Sequence, residues 1–154
     1  MAKIKDPLLG YNFRVLVGET TVGGFTNISN IEVEVVKANY YGLKIPSHII
    51  YPNNVILKKG IILNSDFTPF NWFNAFYHNF KTEKDENKMR NSFEIHLMDD
   101  SGENIKRKYS FFGAWPVRYS ASDLEALGDE VAVEEIELTF QYFSVIDIND
   151  GGEV

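Results

Sequence analysis

The sequence of 154 residues contains no cysteine. It therefore has no disulfide scaffold, no thiol nucleophile and no thiolate ligand for zinc or an iron–sulfur cluster. It also lacks an apolar run of about 18 residues, so no segment is predicted to cross a membrane. Gly10, Asn12 and Arg14 interrupt the place where the apolar part of a signal peptide would lie. These absences predict a protein that folds without oxidation.

Basic residues are missing from the last part of the chain. No Lys or Arg follows Arg118, whereas ten Asp and Glu residues do, and the formal net charge is −7. A protein that grips phosphate backbones needs a positive stripe on its surface. The charge distribution therefore predicts no stable binding to nucleic acid.

Alternation of apolar and polar residues dominates the remaining pattern and predicts strands near residues 13–17, 31–36, 55–63, 93–97, 105–117 and 131–145. Pro116 predicts an edge position or a bulge within its strand. Between the second and third strands, residues 37–53 have no clear period and are predicted to be a long irregular segment. Asp99 to Gly102 have the composition of a hairpin turn.

One helix is predicted, at about residues 68–80. Pro69 suits its first turn, where a missing N–H costs nothing. Phe73, Phe76, Tyr77 and Phe80 recur at helical spacing, with Trp72 beside them. Such an aromatic face usually packs on a sheet, so we assign it to the core rather than to a ligand site.

Together these elements predict a mainly β fold, a β-sandwich or open β-barrel with one flanking α-helix. A length of 154 residues with 44% hydrophobic and 24% charged residues is typical of a single globular domain. We expect that domain to span residues 1–154, with a loose N-terminus at 1–6 and an acidic C-terminal tail at about 146–154.

No pattern in the sequence indicates catalysis, a cofactor or a metal. The histidines, His48, His78 and His96, are not at metal-ligand spacing. Glu134 and Glu135 point to opposite faces of a strand and cannot act together on one substrate. The Gly-x-Ser-x-Gly motif is absent. We therefore predict no catalytic, cofactor-binding or metal-binding residues.

Long strands with polar outer faces leave two interpretations of the sheet edges. An oligomer can use such edges by adding strands across subunits. Alternatively, the acids of residues 131–145 can guard a monomer against edge pairing. The pattern favours neither.

Four segments, in order, resemble the tail-tube protein family of contractile phage tails and related contractile injection particles. They are residues 6–29, with Asn12-Phe13-Arg14-Val15 and Gly23-Gly24-Phe25; residues 31–36; Leu57-Lys58-Lys59-Gly60 with the helix that follows; and residues 114–138, which begin Ala114-Trp115-Pro116-Val117-Arg118-Tyr119-Ser120.

The resemblance implies a non-catalytic structural subunit without a cofactor. It implies homohexameric rings whose strands join around a channel, and rings that stack into a rigid tube driven through a target envelope by a contracting sheath. Its expected partners are other copies of itself, the sheath protein, baseplate or spike and tube-capping proteins, and cargo in the channel. Such a subunit is made in the bacterial cytoplasm and becomes part of a phage tail or an extracellular phage-tail-like particle.

Two sets of site residues follow from the resemblance. Residues 37–53 correspond to an extended loop that touches a neighbour or the next ring, and its contact residues are expected to be Tyr40, Tyr41, Gly42, Leu43, Lys44, Ile45 and Pro46. The polar face of the last strand supplies candidate channel-lining residues, namely Glu135, Glu137, Thr139 and Gln141. Two other functions stay open, a specialised ring that joins the tube to its spike and, in a different class, a monomeric ligand-binding β-barrel.

Overall fold

The structure of the protein is a computed structural model that describes residues 13–18, 20–22, 25–61, 69–83, 91–128, 132–149 and 152–153. The expected loose N-terminus lies outside these residues. The strands and the helix are, in chain order, β1 (Phe13–Val17), β2 (Thr20–Val22), β3 (Phe25–Ser29), β4 (Glu34–Tyr40), β5 (Leu43–Ile50), β6 (Val55–Gly60), α1 (Pro69–Glu83), β7 (Asn91–Met98), β8 (Ile105–Ala121), β9 (Val133–Thr139), β10 (Tyr142–Asn149) and β11 (Gly152–Glu153).

Nine of the strands form one curled antiparallel sheet, which confirms the mainly β prediction. Its order is β2-β1-β7-β8-β9-β6-β3, with β10 paired to β8 and β11 paired to β10. Strands β4 and β5 form a separate two-stranded sheet. Because β8 is 17 residues long and pairs with β7, β9 and β10, it connects the two halves of the curled sheet.

The sheet bends where β8 passes from one partner to the next. Gly113 has a φ of 67°, a conformation that costs a residue without Cβ little. Opposite this point the predicted strand at 131–145 divides into β9 and β10, which corrects the sequence-based boundary. The pairing continues across the division, since the Gln141 N–H donates a 2.8 Å hydrogen bond to the Phe112 carbonyl. The register shifts between Pro116 and Arg118, which confirms the predicted bulge.

The core lies inside the bend. It is formed by Val15, Val55, Leu57, Trp72, Phe93, Ile95, Phe111, Ala114, Ile136 and Leu138. Burial alternates along β9, with Ile136 and Leu138 inside and Glu135 and Glu137 on the other face. This confirms the predicted period for the strand. The same pattern places Tyr142 on the face of Ile136 and Leu138, and this is wrong because its side chain is half exposed.

Helix α1 covers the bend with its aromatic side chains and ends three residues later than predicted. Trp72 is buried, and the ring of Phe76 stacks on that of Trp115 with centroids 5.2 Å apart. Tyr77 is half exposed, so its assignment to the core is wrong. The side chain of Phe80 lies outside the described part.

Two polar clusters secure opposite ends of β8. In the 99–104 turn, hydrogen bonds from Ser101 (2.6 Å) and Asn104 (2.8 Å) hold the pKa of Asp99 well below its ordinary value. The Gly102 N–H also donates to the Asp99 carbonyl, which confirms the predicted turn. At the far end, the Tyr119 hydroxyl donates a 2.8 Å hydrogen bond to Glu134, and burial followed by this bond raises the pKa of Tyr119.

The C-terminal strand replaces part of the expected acidic tail. Residues 146–149 belong to β10, and Asp147 receives hydrogen bonds of 2.6 and 3.1 Å from the Arg107 guanidinium. These bonds lower the pKa of Asp147. The start of the acidic segment is therefore tied to β8.

Candidate assembly surface

The segment predicted to be irregular, residues 37–53, belongs mostly to a β-hairpin whose register shifts once, between Val36 and Lys37, which corrects the sequence-based prediction. Strands β4 and β5 pair from Glu34 opposite Ile50 to Tyr40 opposite Leu43. The two residues between them, Tyr41 and Gly42, have φ values of 49° and 77°. Positive φ at both central residues is the condition for a type I′ turn, whose twist matches that of paired strands.

The first strand of the hairpin also begins later than the sequence suggests. Strand β4 starts at Glu34 rather than at Ile31, and Ile31 packs against the core before the hairpin begins. Val35, on the apolar side of the alternating pattern that predicted a strand at 31–36, is half exposed. The alternation that predicted a core strand thus belongs to a strand outside the main sheet.

The outer half of the hairpin has two different faces. Opposed pairs lie on the same face of a ladder, so Ala38 with Ile45 and Tyr40 with Leu43 form an apolar face. Lys44, opposite Asn39, lies on the reverse face because side chains alternate along a strand.

The apolar face of the hairpin is open to solvent. Tyr40, Leu43 and Ile45 are all exposed, and Tyr41 at the turn is 88% exposed. Contiguous exposed apolar surface on a soluble protein marks an interaction site. The structure therefore brings the residues predicted to make contacts, 40–46, together at the tip of one projecting element.

The candidate channel-lining residues lie along one strand face but differ in their partners. Glu135 forms a 3.2 Å ion pair with Lys58 on the neighbouring strand, and Glu137 accepts a 2.8 Å hydrogen bond from Asn54. Thr139 is half-buried at the end of β9, and Gln141 is exposed beyond it. The face is thus mixed in charge around Glu135 rather than uniformly acidic.

A second exposed apolar feature was not predicted from the sequence. It is the loop at residues 122–128, where Leu124 is 81% and Leu127 is 94% exposed. The loop contains a turn closed by a 3.1 Å hydrogen bond from the Gly128 N–H to the Glu125 carbonyl. The available signal was a pair of leucines among acidic residues in a segment that has the period of neither a strand nor a helix.

The described residues show no arrangement that could hold a metal ion or cross a membrane. No three His, Asp or Glu side chains among them cluster as ligands would. In the same part of the chain, no helix is long and apolar enough to span a bilayer.

The curled sheet with one helix has the fold of a mainly β tube protein. The model of a family described as the T4-like virus tail tube protein gp19 matches residues 9–144. The chain belongs to this family, and it is a tail-tube-type structural protein of phage tails and related contractile particles. No curated protein sequence matches the chain.

Solved structures share this fold at low sequence identity. The anti-feeding prophage tube-terminating cap has a TM-score of 0.80 at 20% identity over 96% of this chain and 95% of the other. A protein of the sheath-tube complex of the extracellular contractile injection system PVC has a TM-score of 0.78 at 20% identity over 94% and 95%. Hcp1 from Flavobacterium johnsoniae has a TM-score of 0.56 at 12% identity over 92% and 97%.

Proposed function

We propose that the protein is the inner-tube subunit of a contractile injection particle or phage tail, and that six copies form a ring that stacks into a hollow tube. Membership of the tail tube family supports the tube function. The observation that carries the assembly is the projecting hairpin, whose apolar face stays exposed in the single chain. In a monomer this apolar face stays exposed to solvent, whereas in a ring a neighbouring subunit buries it.

The hairpin tip, residues 40–46, is the contact that each subunit makes with a neighbour in this proposal. Its two strands pair with each other and with no other described strand, so the apolar face can be covered without unfolding the main sheet. Burying apolar area at about 25 cal/mol per Å² supplies the driving force for association. The contact is a structural one, and the subunit carries out no catalysis.

The remaining partners in this proposal are those that the structural relatives suggest. One relative comes from a sheath-tube complex, one is a tube-terminating cap, and another belongs to a baseplate. By analogy, a sheath surrounds this tube, baseplate and cap proteins close its ends, and cargo occupies its channel.

Assembly is tested by negative-stain electron microscopy combined with light scattering on the purified protein. We expect rings or tubes with a central hole. Leu43→Asp should yield folded monomers because a charge at the tip opposes burial, whereas Asn74→Asp, at an exposed position on α1, should assemble as the wild type does. Wild-type protein that stays monomeric even when a preformed tube end is added would refute the proposed function.

We further propose that the outer face of β9 lines the channel, with Glu135, Glu137 and Thr139 towards the lumen. The chain has no cysteine, so Thr139→Cys gives a single reporter. In assembled tubes, this thiol should react with a small maleimide but not with a maleimide on a long polyethylene glycol chain, whereas dissociated subunits should react with both. Equal labelling of intact tubes by the long reagent would place this face outside.

A further inference from the structure

Two exposed surfaces of this chain complement each other. We propose that the tip of the β4–β5 hairpin of one copy docks on the 122–128 loop of another copy. This inference rests on the proposed function, because it names the surface that receives the hairpin within the assembly. The partner is thus a second copy of this chain, and the two contact surfaces are different parts of it.

Apolar side chains match on the two surfaces. The tip presents Tyr40, Leu43 and Ile45 on one face of the hairpin. The loop presents Leu124 and Leu127, the most exposed leucines of the described residues. Large apolar side chains that project singly from a polar loop have little to contact within their own subunit, and each gains about 1.5–3 kcal/mol when it is fully buried.

The charges on the two surfaces are opposite. The hairpin contains Lys37 and Lys44, both on the face opposite the apolar one, and a single acid, Glu34, at its base, in a chain whose net charge is −7. The loop carries Asp123 and Glu125, and no Lys or Arg follows Arg118. Opposite potentials steer encounter and fix the register of an interface. The hairpin is therefore suited to an acidic surface with exposed leucines, and the loop is such a surface.

The placement of the two surfaces favours contact between copies. The hairpin leaves the main sheet between β3 and β6, and Tyr51 at its base packs on Phe140 and Phe143 near the bend. The loop follows Ala121, which lies opposite Glu134, whereas Val55 just after the hairpin lies opposite Leu138, so the two surfaces leave the sheet near opposite ends of β9. A contact between two different surface patches is heterologous, and repeated heterologous contacts close into rings or continue as stacks. One such contact per subunit is therefore enough to propagate an assembly.

Disulfide trapping tests the contact directly. We expect that a mixture of Leu43→Cys and Leu127→Cys proteins, assembled and then mildly oxidised, gives a disulfide-linked heterodimer, whereas either protein oxidised alone does not; no native thiol contributes because the wild type has no cysteine. Leu43→Cys mixed with Asp100→Cys, in the exposed turn at the other end of β8, is the control and should not cross-link. Equal cross-linking in both mixtures, or none between Leu43 and Leu127, would overturn the inference.

A charge swap provides an independent measurement. Lys44→Glu and Glu125→Lys should each raise the protein concentration needed for assembly by about tenfold, because either change removes the difference in charge that draws the hairpin tip and the loop together. The double variant Lys44→Glu/Glu125→Lys should restore assembly, whereas Lys44→Glu/Asp100→Lys should not. A double variant no better than the single ones would contradict the proposed pairing.

The outcomes separate this inference from the proposed function. Tubes visible by microscopy without the expected cross-link or rescue would leave the tube function standing and refute the hairpin–loop contact. Wild-type protein that forms neither rings nor tubes, and shows no cross-link, would refute both.

Discussion

Replacing the buried Lys59 should destabilise the protein far more than replacing Lys58, its neighbour on the same strand. Lys59 is 1% exposed and lies opposite Glu134, which is 7% exposed, between β6 and β9. Its ammonium nitrogen is 5.7 Å from the centroid of the Phe25 ring. On the other face, Lys58 and Glu135 form a 3.2 Å ion pair in which both side chains reach solvent.

The size of the effect follows from burial. Removing the buried cation that lies in register with a buried carboxylate should cost about 3–5 kcal/mol, because the Glu134 charge then stays in a low dielectric with the Tyr119 hydroxyl as its partner. For a domain of this size 1 kcal/mol corresponds to about 2–4 °C in melting temperature, so Lys59→Met should lower it by about 6–20 °C. Lys58→Met should cost less than about 1 kcal/mol, since exposed pairs contribute little.

A double variant tests whether the two buried charges depend on each other. Lys59→Met/Glu134→Gln removes both charges and keeps an acceptor for the Tyr119 hydroxyl, which donates to Glu134 at 2.8 Å. We expect it to recover at least about 2 kcal/mol of the loss seen in Lys59→Met, in line with the near-neutral exchange of whole buried pairs for uncharged ones.

The assay is urea unfolding followed by fluorescence of the two tryptophans, Trp72 and Trp115. All variants carry Leu43→Asp, so that assembly does not contribute to stability by mass action. Losses in Lys59→Met and Glu134→Gln that simply add in the double variant would show that the charges do not interact. Equal effects of Lys58→Met and Lys59→Met would refute the argument from burial.

Two further predictions concern a core strand and a turn. Leu138→Pro should abolish folding, because Leu138 is fully buried between Val55 and Pro116 and proline removes a ladder donor. The comparison is Leu138→Ala, which should cost about 2–5 kcal/mol. Soluble Leu138→Pro protein that assembles normally would contradict the prediction. Asp99→Asn should lower the melting temperature above about pH 4, and the effect should shrink at lower pH. The pKa of Asp99 is depressed in the folded protein, so its carboxylate contributes stability that is lost as the pH falls below the ordinary pKa of 3.8 towards the pKa in the folded protein. A difference in melting temperature that stays constant between pH 2 and pH 7 would show that the carboxylate is not responsible.

Parts of the fold with a clear period could be predicted from the sequence. Helix α1 was expected from its aromatic spacing, and its first turn at Pro69 is observed. Ile136 and Leu138 alternate with Glu135 and Glu137 as the pattern indicates, because one face of the strand packs on the core. The bulge at Pro116 followed from its missing donor.

The hairpin could not be predicted in the same way. Beyond the alternating residues at the start of β4, its strands have no buried face within one subunit, so residues 37–50 do not alternate as those of a core strand do and the usual signal is absent. A two-residue turn usually has Asn or Gly first, whereas this one has Tyr41, with a φ of 49°. Part of what stabilises β4 and β5 in the assembly would, in our proposal, come from another copy.

The division of β9 from β10 escaped prediction for a different reason. The chain from 133 to 149 stays paired with β8 almost throughout, so its alternation of apolar and polar residues indicates a single strand. The break at Phe140 depends on the bend of β8 at Gly113, a feature about 27 residues away in sequence that no local pattern contains. Phe140 then packs on the core while Tyr142 stacks on Phe112 outside.

Stability and assembly depend on different residues in this structure, and this determines how a variant's failure should be interpreted. Lys59 and Leu138 are buried in the curled sheet, so changing them affects the single subunit before any contact forms. Leu43 and Leu127 are exposed, so changing them leaves the core intact. A Leu43 or Leu127 variant that fails to assemble but unfolds at the same urea concentration as the monomeric Leu43→Asp protein has lost an interface. A Lys59 variant that fails to assemble has instead lost the stability of the folded subunit.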